Sequence, residues 1–134
     1  MNKKSILFVE RMEETTFNIE ELLADPLHYP VPEGDDEKWD IVDILTVSVT
    51  KNNINSFLEY MNRLPLFMAV VAFKKVYRQM GRDFSSSKSW GEVFIKHYDG
   101  KNGLFKDVLY FIGNTKNARV AYQSYLRKKE KLRI

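Results

Sequence analysis

Three prolines fall within seven residues, Pro26, Pro30 and Pro32, and Gly34 follows them. Proline has no backbone N–H and its ring clashes with the preceding helical turn, so no helix runs through this segment. The chain therefore divides into a front, residues 1–37, and a body, residues 38–134. The front closes on Asp35-Asp36-Glu37 and reads as an extended, acidic, proline-containing arm or linker.

Charge divides at nearly the same place. Residues 1–50 carry four bases against twelve acids, a net charge of −8; residues 51–134 carry seventeen against six, a net charge of +11. Such asymmetry suggests a basic body that meets an acidic partner. It also fits two oppositely charged faces that attract each other within one fold. The 134 residues are enough for one domain with a sizeable core.

Helical spacing dominates the body. Ile54, Phe57, Leu58 and Met61 predict a helix over 54–63 after the Asn52-Asn53 break. Pro65 is well suited to open the next helix, over 65–80, which carries Phe67, Val70, Phe73, Val76 and Tyr77 and stops at Gly81. Ser89-Trp90-Gly91-Glu92 has capping-box spacing and opens a helix with Val93 and Phe94 inside. Residues 104–112 read as helical. A last helix runs from about 116 into the tail, with Ala118, Tyr122, Tyr125 and Leu126 inside. In the front, Thr16 is a candidate cap for a helix over 17–24.

Residues 39–50 are ambiguous. Trp39, Val42, Leu45 and Val49 form a helical stripe, while Leu45, Val47 and Val49 alternate with hydroxyl residues as a strand would. The expected fold is mostly α, a compact bundle of five or six helices with an extended N-terminal arm. The alternative is α+β, with short strands near 5–9 and 44–50 and a hairpin across 92–112.

Chemistry is sparsely signposted. The chain has no cysteine, so thiolate and cysteine-ligated metal sites are excluded, and a reducing intracellular compartment is expected. His28 and His97 are the only histidines and lack zinc-motif spacing. No phosphate loop or nucleophile elbow occurs, so no metal, cofactor or enzymatic activity is expected. No apolar run reaches membrane-spanning length.

The clustered bases carry the functional reading. Lys74, Lys75 and Arg78 form one group; Arg119, Arg127, Lys128, Lys129 and Lys131 form another. Clustered Lys and Arg neutralise phosphates, so nucleic acid is the expected partner, DNA ahead of RNA, bound by a non-enzymatic accessory protein. The acidic arm would compete for that surface. The alternative is a protein–protein module, an inhibitor, adaptor or assembly subunit, whose arm docks on a partner through Leu27, Tyr29 and Val31 and whose body meets an acidic protein.

Residues 67–98 and 114–130 resemble the helical ARID DNA-binding domain. The similarity lies in Phe73, Val76, Gly81, the run Ser89-Trp90-Gly91-Glu92-Val93, and Asn117-Ala118-Arg119 through Tyr125-Leu126. It implies a DNA-binding helical fold with Trp90 and Tyr125 in the core.

Overall fold

The computed structural model describes residues 17–84, 89–98, 108–109, 111–112 and 117–133. They form six α-helices and no strands: α1 (Ile19–Ala24), α2 (Asp35–Ser48), α3 (Ile54–Met61), α4 (Leu66–Met80), α5 (Trp90–His97) and α6 (Ala118–Arg133), with a 3-10 turn at Gly81–Phe84. The fold is mostly α. None of these helices is long and apolar enough to cross a membrane.

Helix α4 is the axis of the bundle. Its residues Phe67 to Phe73 are all buried, because neighbours cover it on every side. Helix α2 packs along it, α3 precedes it, and the 3-10 turn and α5 fold back on it. Pro65 sits at the N-cap, one position before the first helical residue. The α-helix ends at Met80 with Gly81 as its C-cap, where the sequence places the stop, but without a left-handed glycine turn. Gly81 keeps right-handed helical angles (φ −57°, ψ −33°) and leads into the 3-10 turn.

Helix α5 starts where the capping box predicts. Ser89 Oγ accepts from the Glu92 N–H at 3.4 Å. Helix α1 is capped by Asn18, whose Oδ1 accepts from the Glu21 N–H at 3.0 Å; Thr16 lies outside the described residues. Helix α6 is capped by Asn117, whose Oδ1 accepts from the Val120 N–H at 3.1 Å.

Residues 39–48 are helical, so the strand alternative at 44–50 does not hold. The buried face of α2 is Trp39, Ile41, Val42, Leu45 and Thr46, a helical stripe. The hydroxyls that suggested a strand bond back to the preceding turn instead: Thr46 Oγ1 donates to Val42 O and Ser48 Oγ to Ile44 O, each at 2.8 Å. Residues 92–97 are also helical, against the hairpin alternative. The strand expected near 5–9 and residues 99–107 lie outside the described residues.

From residue 17 onward the front packs against the body. Leu22 is fully buried in the core, and Pro26 is also buried. The proline segment is fastened by side chains of α3 and the corner after it. Arg63 Nη1 donates to the carbonyls of Pro26 and Tyr29, and Tyr60 Oη donates to Pro30 O at 2.9 Å. Prolines remove donors but keep their carbonyls, and Arg63 and Tyr60 use those of Pro26 and Pro30 together with that of Tyr29.

Candidate nucleic-acid interface

The aromatic core fixes the course of α6. Tyr122 lies edge-on to Trp39 (5.6 Å between ring centres) and to Phe67 (5.3 Å); Tyr125 lies 5.1 Å from Phe67 and 5.9 Å from Phe111. Tyr122 Oη also donates to Asp35 Oδ2 at 3.1 Å. One turn earlier, Arg119 reaches Asp40 and Asp43. As α6 advances, its contacts move back along α2, so the two helices are antiparallel. Trp90, the other core residue expected from the ARID-like run, is half-buried against the core, while Tyr125 is buried.

This course separates the two basic groups. Phe67 stands in the first turn of α4 beside Tyr125, and Lys75 lies eight residues further on, about 12 Å along the axis. Beyond Tyr125, α6 continues the opposite way. Lys74, Lys75 and Arg78 therefore sit toward one end of the bundle, and Arg127, Lys128, Lys129 and Lys131 at the other.

Between them stands an acidic face that the sequence reading did not single out. Asp36, Asp40 and Asp43 recur at i, i+4 and i+7, one side of α2. Arg119 Nη2 lies 3.2 Å from Asp40 Oδ1 and 3.1 Å from Asp43 Oδ2, with Nη1 4.0 Å from Asp36 Oδ1. Its guanidinium lies over the Trp39 ring at 5.8 Å. Partial burial works against its charge, but hydrogen bonds to Asp43 and Asp40, reinforced by both carboxylate charges, prevail and raise its pKa. Asp43 also takes Lys75 Nζ at 3.3 Å. Two of the expected phosphate ligands, Arg119 and Lys75, are thus already paired.

Lys74 is half-buried with Nζ 5.2 Å from the Trp90 ring centre. Burial, then the charge of Arg78, lowers its pKa. It acts as packing as much as charge. Arg78 is exposed and borders a shallow groove with Asp43, Thr46, Val47, Lys75 and Gln79.

The distal half of α6 is different. Arg127, Lys128, Lys129 and Lys131 are all exposed, and none makes an ion pair among the described residues. Arg127 Nη2 donates to Ser124 Oγ at 3.3 Å. Lys128 Nζ lies 5.8 Å over the Phe111 ring and Lys129 Nζ 5.6 Å over the Tyr125 ring, cation–π contacts that orient side chains still exposed to water.

The expected docking residues are divided. Tyr29 is half-buried, edge-on to Tyr60 at 6.4 Å, and its Oη accepts from the Asn18 N–H. Val31 packs against the core. Only Leu27 faces water, at 58% exposure. No group of three or more metal-ligating side chains occurs among the described residues.

Compared with known proteins, the chain matches no family model, no curated protein and no solved structure.

Proposed function

We propose that this chain is a non-enzymatic accessory protein that binds the phosphate backbone of nucleic acid, duplex DNA first, through the distal half of α6. The observation that carries the reading is the set Arg127, Lys128, Lys129 and Lys131, exposed and unpaired by any acid among the described residues. Glu130 is the one acid in residues 117–133. A helix presenting such a set displaces condensed counterions from a duplex, which gives salt-dependent affinity with little sequence preference. The interface is smaller than the sum of the basic residues, because Lys75 and Arg119 spend their charge on α2. Absence of cysteine accords with work in a reducing intracellular compartment. The test is duplex binding across a salt series, with affinity falling steeply as salt rises; no binding at low salt refutes the reading.

A second reading, docking of an acidic protein, is favoured by a separate observation. Val47 is 72% exposed beside Lys75 and Arg78, and Ile44, three residues earlier on α2, is also exposed. Apolar side chains edged by bases suit an acidic amphipathic segment. Val47→Asp would abolish such docking and leave duplex binding by the tail unchanged.

A further inference from the structure

We infer that the aspartate face of α2 masks Arg119 and Lys75, and so sets how far along α6 a phosphate backbone is bound. The inference rests on the nucleic-acid reading above and deepens it. Arg119, Gln123, Arg127 and Lys131 are successive i+4 steps on α6, an inclined row along which a strand of phosphates would run. Three of the four are cations. The row is broken at its N-terminal end because Asp36, Asp40 and Asp43 surround the Arg119 guanidinium at 3.1–4.0 Å. Asp36, 94% exposed and 4.0 Å from Arg119 Nη1, adds a further negative charge at that end of the row. Asp43 holds Lys75 as well, so one carboxylate occupies two cations.

The mask consists of charge and not of bulk. Arg119 keeps 41% of its side chain exposed and Lys75 45%. A phosphate oxygen reaches both once the carboxylates no longer claim them. Replacing carboxylates by amides preserves shape and removes the competitor.

The experiment compares duplex binding across a salt series for the full chain, for Asp36→Asn/Asp40→Asn/Asp43→Asn, and for a control with the same charge change elsewhere, Glu20→Gln/Glu33→Gln/Glu59→Gln. Masking predicts tighter binding by the aspartate variant and a salt slope steeper by about 1.8 if both cations are recruited, at about 0.9 per phosphate. It predicts the wild-type slope for the control. Adding Arg119→Gln to the aspartate variant should take back about half of the gain. The single change Asp43→Asn, which removes the shared carboxylate with least disturbance, should steepen the slope by at least about 0.9 even where the triple variant folds poorly. An unchanged slope in Asp43→Asn and the triple variant, or an equal gain in the control, overturns the masking. A wild-type chain that binds, and loses binding on Arg127→Gln/Lys128→Gln/Lys131→Gln, keeps the tail reading intact whatever the aspartate variants do. A wild-type chain that does not bind at low salt overturns that reading and the masking with it.

Discussion

Arg119 and Asp43, 76 residues apart in sequence, meet at 3.1 Å and join the last helix to the acidic helix near the chain's front. The opposite charges of the two halves are therefore partly consumed inside the fold, and partly left on the tail.

Arg119→Met keeps an apolar stem for Trp39 to pack on but leaves Asp36, Asp40 and Asp43 repelling one another along one face. Each pair is partly exposed, and exposed pairs contribute about 0.2–1 kcal/mol. The variant should lose about 1 kcal/mol in urea unfolding, and the loss should shrink as salt is raised. A loss that does not depend on salt would assign Arg119 to packing alone.

Leu22→Ala should cost about 2–5 kcal/mol, the range for emptying a fully buried leucine site. Leu27→Ala, five residues on and exposed, should stay within about 0.5 kcal/mol. Deletion of residues 1–37 should therefore destabilise the body, where a detachable arm would leave it intact. Equal, small effects of the two leucine changes would restore the detached arm.

Burial pushes the Tyr60 hydroxyl up to about 12, with Arg63 pulling weakly the other way; burial and Asp35 push Tyr122 up to about 12 as well. An unfolded tyrosine titrates near 10. Below about pH 10 both states hold the proton and the contribution is complete. Between about 10 and 12 the unfolded state ionises first, so stability falls with rising pH across that window. The urea midpoint should drop there, and Tyr60→Phe should flatten the drop. An identical profile in the variant would sink this assignment.

The helices were most legible where local rules act alone. Ser89 and Glu92 mark the start of α5 by spacing, and α4 follows from its apolar periodicity. Residues 39–48 were ambiguous because β-branched and hydroxyl residues fit either pattern; burial of Trp39 and Val42 against α4 decided for helix. The anchoring of residues 26–30 is not legible in the sequence because its partners are remote. Arg63 and Tyr60 lie 30 to 37 residues from the carbonyls they hold, and no local rule links them. The basic residues were legible as a composition but not as a surface. Which of them remain free depends on the α2 aspartates, and their i, i+4, i+7 spacing becomes visible only once that segment is known to be a helix.

The central claim is that the distal half of α6 is the phosphate-binding surface. The most direct test is anisotropy of a labelled duplex titrated with the wild-type chain and with Arg127→Gln/Lys128→Gln/Lys129→Gln/Lys131→Gln, over a salt series. The account predicts wild-type affinity that falls steeply with salt, and a variant slope shallower by up to about 3.6, at about 0.9 per phosphate contact. Wild-type and variant curves that coincide, or a wild-type chain that leaves the duplex free at low salt, would contradict it.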